Sequence, residues 1–376
     1  MFLTSQERNE TIWACRFCMM CHVADRAASI VRRESYYPRG RAAILWGLEQ
    51  GFLEWNEDIA DIMYTTLNDG LLEKWCVGNY NHEELVVDTR ARLFEKGLAP
   101  EEVRRFVERL RADCQPGPSA SDILSQAGVE TDPNAEVLLF CGCTARSRQA
   151  ETVRNMGRLF NRAGVRFKVL DQEPCCGWPL YQLGDFTGAG EFSVRIARMI
   201  KDANVGHVVV LDADCFRMFT TRTRSFGGDI AGVLFHHVTQ VLDNWLTDGK
   251  LKVTQKISGP VTYHDPCALA RYCEELEAPR SVLSAILEED LREMDTHGKM
   301  ANCCGAGGFL PVFKPELSRE VASMRLREAE ETGAVLMATA CTRCDEALGN
   351  AQSNDSAGGK LMIRNLVDLV AGAVCI

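Results

Sequence analysis

The spacing of apolar residues divides the chain into two parts. From residue 1 to about 115, apolar residues recur at helical intervals, as in RAAILWGLEQGFLEW, and the charged run PEEVRRFVERLRA follows. This periodicity predicts a mainly helical N-terminal module over residues 1–115. The next segment, from Cys114 to Asp132, is rich in Pro, Gly, Ser and Asp. Such a composition is typical of a linker, so we place the first domain boundary there.

Beyond the linker, short apolar runs alternate with helical stretches. This alternation is typical of α/β units that build a parallel sheet. The predicted strands are EVLLF, RFKVLD, GHVVVLD, PVTYHD, a run near LREMD, and AVLMATA. The fold class predicted from the pattern is therefore α/β, preceded by the helical module.

The α/β part of the chain repeats itself. Cysteines recur at separations of 124, 128 and 129 residues: Cys143 with Cys267, Cys175 with Cys303, and Cys215 with Cys344. A nearly constant separation indicates two related units in tandem. We therefore predict a first α/β module over residues 133–250 and a second over residues 251–376.

The length and net charge of the chain indicate a folded protein and argue against a nucleic-acid-binding function. The 376 residues are 46% apolar, which is enough to bury a substantial core, and the net charge of −10 disfavours binding to nucleic acid. No apolar run reaches the ~18 residues of a membrane-spanning helix, and the N-terminus lacks the pattern of a secretory signal. We expect a soluble, cytoplasmic protein that can associate peripherally with a membrane through a partner.

The cysteine content points to metal or redox chemistry. The chain has 17 cysteines, and in a reducing cytoplasm clustered cysteines more often bind metal than form disulfides. The odd number also argues against a protein in which every cysteine is paired.

The N-terminal cysteines have the spacing of a ferredoxin. Cys15, Cys18 and Cys21 form C-x2-C-x2-C, the start of the bacterial ferredoxin run, in which a fourth cysteine would serve a second cluster. Asp25 occupies the place of that fourth cysteine, and Cys76 is the remaining cysteine of the module before residue 114. We predict one [4Fe–4S] cluster on Cys15, Cys18, Cys21 and Cys76. A structural zinc site is the alternative, because four thiolates also bind Zn²⁺.

The second α/β module has the fullest cysteine set. Its five members each follow a predicted strand or precede a predicted helix: Cys267, Cys303, Cys304, Cys341 and Cys344. A C-x-x-C alone is ambiguous between zinc, an iron–sulfur cluster and a redox dithiol. The adjacent pair adds two more thiolates and favours an unusual iron–sulfur centre. The glycines after the pair would let backbone amides approach the sulfurs.

The first α/β module has one thiolate fewer. Its set consists of Cys143, Cys175, Cys176 and Cys215, and Asp212 stands where the repeat has Cys341. Four thiolates suffice for a cluster, so we expect a further iron–sulfur cluster here that is simpler or more labile than the other, the alternative being that this module holds none.

Several other residues near these sets have competing interpretations. His264 and Asp265 either support the end of a strand or donate a proton to a reduced thiolate. Arg39 and Arg41 either place positive charge near the N-terminal set or lie at a solvated helix start. Four cysteines match no motif position and are expected to be ordinary thiols: Cys114, Cys141, Cys273 and Cys375.

The doubled pattern of one cysteine, C-C-G, then C-x-x-C resembles the cysteine-rich CCG domain family. That family includes the B and D subunits of heterodisulfide reductase, the iron–sulfur subunit of glycolate oxidase, and the C subunit of anaerobic glycerol-3-phosphate dehydrogenase. The N-terminal cysteine run followed by YYPRGRAAIL is similar to the ferredoxin-type module of the longer members. The resemblance therefore covers nearly the whole chain.

The resemblance implies an iron–sulfur subunit that relays electrons between a flavoprotein partner, which oxidises a hydroxy acid or similar metabolite, and a further acceptor. In heterodisulfide reductases, noncubane [4Fe–4S] centres on these cysteines also cleave a disulfide, and the second set matches a complete motif of that kind. Asp212 departs from the motif, which counts against a mechanism that uses both repeats equally. The segment GAGGF follows a cysteine pair and is not a dinucleotide fingerprint, so we expect the flavin in a partner. The alternatives are a disulfide reductase and a zinc-bound scaffold.

Overall fold

The computed structural model describes residues 2–78, 80–113, 117–353 and 361–376. Cys114, which we interpreted as an ordinary thiol, lies outside these ranges.

The N-terminal module is helical, as predicted. Several of its helices start at good capping residues, since Thr4 and Glu7 form a capping box and Asn56 and Asn81 each accept an amide hydrogen bond at a helix start. Seven α-helices lie among its described residues: α1 (Ser5–Ala14), α2 (Arg26–Val31), α3 (Pro38–Glu49), α4 (Glu57–Tyr64), α5 (Leu71–Trp75), α6 (His82–Glu95) and α7 (Glu101–Ala112).

The first α/β module contains a parallel sheet with strand order β1-β2-β3. The strands are β1 (Val137–Phe140), β2 (His207–Val210) and β3 (Leu234–His237). The helices are α8 (Ala120–Ser125), within the predicted linker, and then α9 (Cys143–Arg148), α10 (Ala150–Arg162), α11 (Trp178–Leu183), α12 (Phe186–Asp202), α13 (Ala213–Arg217) and α14 (Val238–Thr247).

The second α/β module has the same parallel topology, with strand order β4-β5-β6. The strands are β4 (Val261–His264), β5 (Leu336–Thr339) and β6 (Met362–Asn365). The helices are α15 (Glu277–Ile286), α16 (Leu310–Phe313), α17 (Pro315–Glu331), α18 (Thr342–Ser353) and α19 (Leu366–Ala373). The predicted fold class is confirmed, and the predicted domain boundaries stay predictions.

Two of the predicted strands are wrong. RFKVLD contributes a single bridge, between Lys168 and Leu138, because the chain leaves the sheet edge before a second pair can form. The run near LREMD makes one backbone bond to β4, from Arg292 to Val261, and forms no ladder. The third strand of each sheet is instead β3 or β6, which are edge strands with only partly buried faces.

The two α/β modules meet through equivalent positions. Asp214 and Arg343 are 129 residues apart and form an ion pair of 2.5 Å across the interface. Asp212 and Cys341, also 129 residues apart, lie beside each other. Contacts between equivalent positions indicate an approximate two-fold relation, which turns the carboxyl ends of both sheets toward one interface.

A buried arginine of the helical module ties the three modules together. Arg90 on α6 is fully buried and donates to the carbonyl oxygens of Met63 (3.0 Å), Gln182 (2.9 Å) and Gly308 (2.9 Å). These acceptors belong to the N-terminal, first and second α/β modules respectively. A guanidinium suits this position because its donors can satisfy several carbonyl groups in fixed directions.

Candidate functional site

The four N-terminal cysteines line one cavity. Cys15 follows α1, Cys18 and Cys21 lie in the next loop, and Cys76 ends α5. Cys15 and Cys21 are buried, whereas Cys18 is exposed. Burial raises the pKa of Cys15 and of Cys21, although a backbone amide donates to each sulfur, from Phe17 and from Arg39 respectively. The structure therefore brings together the set inferred from the spacing, with one ligand position open to solvent.

Asp25, at the place of the missing ferredoxin cysteine, has a structural role. Its carboxylate accepts a hydrogen bond from the Ala28 amide (2.9 Å) at the start of α2 and pairs with Arg41 (2.9 Å). Arg41 is fully buried and also donates to the carbonyl oxygen of Thr65 (2.6 Å). The interpretation of Arg41 as part of a solvated helix start was therefore wrong, because its guanidinium is buried in an ion pair.

The four cysteines of the first α/β module also converge. Their thiols are in hydrogen-bonding contact in the order Cys143, Cys175, Cys176 and Cys215. They meet because β1 and β2 are parallel neighbours, so the residues after both strands reach the same sheet edge. Burial and the adjacent thiols raise the pKa of each of the four well above its ordinary value.

A buried ion pair holds the loop that carries Cys143. The Glu173 carboxylate accepts the backbone amides of Cys141 (2.7 Å) and Gly142 (2.8 Å) and pairs with Arg146 (3.1 Å). Both partners are almost completely buried. The pair therefore fixes the backbone immediately before the first cysteine of the set.

Replacing Arg146 by methionine is expected to destabilise the first α/β module by about 3–5 kcal/mol, because a buried carboxylate then lacks its partner. Urea unfolding of anaerobically prepared protein would measure this loss. Arg166→Met is the matched control, since Arg166 forms an exposed ion pair with Asp132 and should leave the unfolding midpoint nearly unchanged. Equal midpoints for the two variants would contradict a structural role for the Glu173–Arg146 pair.

The second α/β module gathers five thiols. The contacts run from Cys267 to Cys303, from Cys303 to Cys304, from Cys304 to Cys344 and from Cys344 to Cys341. Cys304 lies centrally and accepts hydrogen bonds from two thiols and from the Ala306 amide, which lowers its pKa well below the ordinary value. Among the described residues, every cysteine is a free thiol.

The glycines after the second cysteine pair are needed for close approach. Gly305 has φ +93°, and a Cβ there would lie 2.4 Å from the Ser318 carbonyl oxygen. At Gly307, a Cβ would lie 2.4 Å from the Leu67 carbonyl oxygen and 3.0 Å from the Cys303 sulfur. The N-terminal module thus packs directly against the cysteine pair, which explains why GAGGF occurs here.

His264 lies beside the second set. One of its ring nitrogens lies within 4.8 Å of the sulfurs of Cys304 and Cys344. Nδ1 accepts a hydrogen bond from Arg325 Nε (3.1 Å), and burial together with the charge of Arg325 lowers the pKa of His264 to about 3. The ring is therefore neutral with its hydrogen on Nε2, and this buried nitrogen has no partner in the described part of the chain. Phe140 is the equivalent residue of the first module.

Asp265, the next residue, has a structural role in the same loop. Its carboxylate pairs with Arg280 through both oxygens (2.8 and 2.9 Å) and accepts the Gly298 amide (2.7 Å). It therefore holds the segment that leads from β4 to Cys267. These contacts match the structural interpretation of Asp265.

Asp212 lies between the two cysteine sets of the α/β modules. One carboxylate oxygen accepts the amides of Asp214 (3.0 Å) and Cys215 (3.1 Å) and so caps α13. The other oxygen accepts from Thr342 Oγ1 and lies 4.0 Å from the Cys341 sulfur. The carboxylate that replaces a cysteine thus reaches into the neighbouring module.

Two buried arginines place positive charge against the second set. Arg271 pairs with Asp69 (3.0 Å) and lies near Cys267 and Cys303, and Arg343 lies near Cys304 and Cys341. Neighbouring carboxylates and thiols raise the pKa of both arginines, so they stay charged. Sequence reasoning missed these residues, although the position of Arg343 inside CTRC was a usable signal.

An open cleft of about 850 Å³ leads to the first α/β set. Its walls come from α7, the first module and the second module, and include Cys143, Cys175, Trp178, Asp212, Phe309 and Arg343. The second set lines a separate, much smaller cavity whose wall also contains Trp178 and Arg343. Small molecules therefore have direct access to the first set and little access to the second.

The remaining described cysteines stay outside the sets. Cys141 is buried behind the first set, Cys273 contacts Thr220 Oγ1 (3.7 Å), and Cys375 is exposed beside Thr254. None of these three lines a cysteine cavity in the described part of the chain.

The donor sets fit iron–sulfur clusters. Each set offers four or five thiols from one compact site, as cluster ligation requires, and backbone amides or buried cations compensate the charge that thiolates would carry. A thiol must lose its proton to bind a metal. Thiols with raised pKa values therefore need nearby positive charge or hydrogen-bond donors that stabilise the thiolate.

Comparison with known proteins agrees with this architecture. A family model of the cysteine-rich domain, CCG, matches residues 137–220 and again residues 261–349. Each α/β module therefore contains a cysteine-rich CCG domain, which confirms the resemblance seen in the sequence.

Three curated relatives show the range of similar proteins. The D subunit of the dihydromethanophenazine:CoB–CoM heterodisulfide reductase of Methanosarcina barkeri is 27% identical over 344 residues, which cover 89% of this chain and 83% of the relative. The iron–sulfur-binding oxidoreductase FadF of Bacillus subtilis is 28% identical and is aligned over 61% of this chain and 32% of its own length. The B subunit of the fumarate reductase (CoM/CoB) of Methanothermobacter marburgensis is 23% identical, with 75% and 55% covered.

Among the described residues, none of the helices is both long enough and apolar enough to cross a membrane.

Proposed function

We propose that this chain is the iron–sulfur electron-transfer subunit of an oxidoreductase complex. It relays electrons between a flavoprotein partner, which oxidises a hydroxy acid or similar metabolite, and a further acceptor. The observation that carries the proposal is the convergence of thirteen cysteines from distant parts of the chain into three compact sets. The similarity to the D subunit of heterodisulfide reductase and to FadF supports it.

The three sets would each hold one cluster. A [4Fe–4S] cluster would bind to Cys15, Cys18, Cys21 and Cys76, and a [4Fe–4S] cluster of noncubane type to Cys267, Cys303, Cys304, Cys341 and Cys344. A further cluster would bind to Cys143, Cys175, Cys176 and Cys215. Bound clusters supply one-electron redox chemistry, whose potential depends on charge, hydrogen bonds and burial.

The surrounding residues make the sites suitable for electron storage. Arg271 and Arg343 bring permanent positive charge to the second set, which favours the state with the extra electron. Amides of Phe17, Gly177 and Ala306 donate to sulfurs of the three sets, and these hydrogen bonds also favour the state with the extra electron. The second set lines only a small cavity, which limits the access of water and protects its thiols from side reactions.

The flavin is assigned to a partner protein. In this chain GAGGF brings Gly307 against Leu67 and Cys303, so its glycines serve the contact between modules. A glycine-rich loop used in this way does not lie between a strand and a helix that could bind a pyrophosphate.

Anaerobic purification tests the proposal. We expect brown protein with iron and acid-labile sulfide for three clusters, electron paramagnetic resonance signals after reduction by dithionite, and no oxidation of hydroxy acids by the chain alone. Colourless protein with stoichiometric zinc would establish the scaffold alternative instead. Adding a flavoprotein dehydrogenase that co-purifies with this chain should then give oxidation of the metabolite, and clusters that fail to accept its electrons would contradict the relay.

Disulfide reduction is the second candidate function. The similarity to the D subunit of heterodisulfide reductase covers most of both chains, and the 850 Å³ cleft opens directly onto Cys143 and Cys175. Two electrons and two protons would convert a bound disulfide into two thiols. Release of thiols by the reduced protein, measured across asymmetric alkyl disulfides, would support this activity, and the absence of release would leave the relay.

A further inference from the structure

The surface around the N-terminal cysteine set is unusually apolar. Most of the large apolar side chains that the described residues expose lie here, and the four others, such as Met362, lie on the α/β modules. The N-terminal apolar face, as we define it, consists of Trp13, Phe17, Met19, Val23, Phe52 and Val77. Phe52 and Val77 are 71% and 79% exposed, so this face is not part of the protein core.

Ring contacts link parts of the face, and the face borders the cysteine cavity. The ring of Trp46 bridges Trp13 (6.5 Å) and Phe52 (5.6 Å). Gly78, next to Val77, packs against the backbone of Ala14, and Val77 lines the cysteine cavity. The exposed thiol of Cys18 is adjacent to Phe17 and Met19 in the chain. An electron carrier that covers the face would therefore come directly against the N-terminal set.

The segment that carries four of the six residues of the face has a charge opposite to that of the whole protein. The chain carries a net charge of −10, yet residues 11–33 contain four arginines and a single acidic residue, Asp25, which is buried against Arg41. In the described part of the chain, Arg16, Arg32 and Arg33 form no ion pair with an acidic side chain. A partner that binds here gains from an acidic rim.

We propose that the N-terminal apolar face docks an acidic one-electron carrier protein, whose redox centre is placed beside Cys18. This inference rests on the proposed relay function and names where one of its partners binds. An apolar centre with a charged rim is the usual composition of a protein interface, and electrostatic steering gives such transient complexes fast association.

A lipid bilayer is the competing occupant of an apolar, basic surface. Two features favour the protein. Interfacial membrane anchors are amphipathic helices, whereas α1 contributes only Trp13 to the face, and its other exposed residues are polar. The face also borders a cysteine set with a solvent-exposed member, so a carrier bound there would lie within reach of electron transfer to that set.

The test uses anaerobic holoprotein and a photoreduced plant-type [2Fe–2S] ferredoxin as an acidic probe carrier. Stopped-flow absorbance should show reduction of the holoprotein at a rate that falls about tenfold between low and high salt. Phe52→Asp and Arg16→Glu should each lower the rate at low salt by about tenfold, because they place negative charge on the face or at the cysteine cavity that it borders. Reduction by dithionite, which needs no docking surface, should be unchanged.

Met362→Asp is the matched control, since Met362 is also an exposed apolar residue (51%) but lies on β6. It should react with ferredoxin like the unchanged protein. Rates that are insensitive to salt, equal rates for Phe52→Asp and the control, or no reduction by ferredoxin at all would overturn the docking proposal. Binding to phosphatidylserine vesicles that is lost in Phe52→Asp, with ferredoxin rates unchanged, would assign the face to a membrane. If dithionite itself reduces nothing, the relay function fails instead.

Discussion

Replacing Cys304 by serine is expected to abolish the redox centre of the second CCG domain. The Cys304 sulfur lies in the middle of the set, in contact with Cys303 and Cys344, and a hydroxyl group is a far poorer ligand for iron than a thiolate. We expect loss of one cluster of the three, measured as iron and sulfide per chain. The corresponding electron paramagnetic resonance signal should disappear while the signal of the N-terminal set stays.

Cys273→Ser is the control for this experiment. Cys273 is close in sequence to Cys267, but its thiol contacts Thr220 and lies outside the set. Its replacement should leave the iron content and the spectra unchanged. Full iron content in Cys304→Ser, or equal losses in both variants, would contradict the assignment of the five thiols to one centre.

Replacing His264 by phenylalanine is expected to lower the midpoint potential of the same centre by about 60–130 mV. The ring lies beside the sulfurs, and because Nδ1 accepts from Arg325, its Nε2–H has no other acceptor within the described ranges and is available to donate to a thiolate. A hydrogen bond to a charged group contributes about 1.5–3 kcal/mol, and the stabilisation is greater in the reduced, more negative state. A potentiometric titration followed by electron paramagnetic resonance measures the shift.

Two further variants separate this effect from a general disturbance. His264→Asn retains an N–H donor and should recover part of the shift. His237→Phe removes another buried histidine whose Nε2 also has no partner among the described residues, but which packs near Phe216 in the first module, so it should leave the potential unchanged. An altered iron content in His264→Phe, without a shift of the remaining signal, would show instead that His264 is itself a ligand.

The two-fold relation explains why the repeats have diverged where they meet. Identical residues at equivalent positions would face each other across the interface, and two aspartates or two arginines would repel. The ion pair between Asp214 and Arg343 is possible only because the two repeats differ at this position. The same divergence gives the two cysteine sets unequal surroundings, with Phe140 beside one and His264 beside the other.

The sequence could predict the cysteine sets because their spacing follows from the local geometry of a cluster. C-x2-C-x2-C and C-C-G each place thiols within a few residues of one another, and the position of Cys143 or Cys267 after a strand indicates the sheet edge. The strands β1, β2, β4 and β5 were recognisable for a similar reason, since they are short apolar runs that are mostly buried on both faces.

The strands β3 and β6 and the charged surroundings were not predictable in this way. Both strands are short and partly exposed, and whether such a run or RFKVLD pairs with the sheet depends on where the preceding helix ends. Arg41 and Asp25 are polar residues that a pattern assigns to the surface, yet they are buried together. A buried charged side chain is stable only when a partner of opposite charge is present, and the fold determines which residue lies close enough to be that partner.

By itself the sequence determined the fold class, the duplication and which thiols belong together, because these depend on local periodicity and on short spacings. The tertiary structure alone decided what surrounds the thiols: Arg271, Arg325 and Arg343 beside the second set, and Asp212 between the two domains. These contacts join residues that are far apart in the chain. Their energy depends on burial and on distance in space, neither of which is encoded in the order of the residues near a motif.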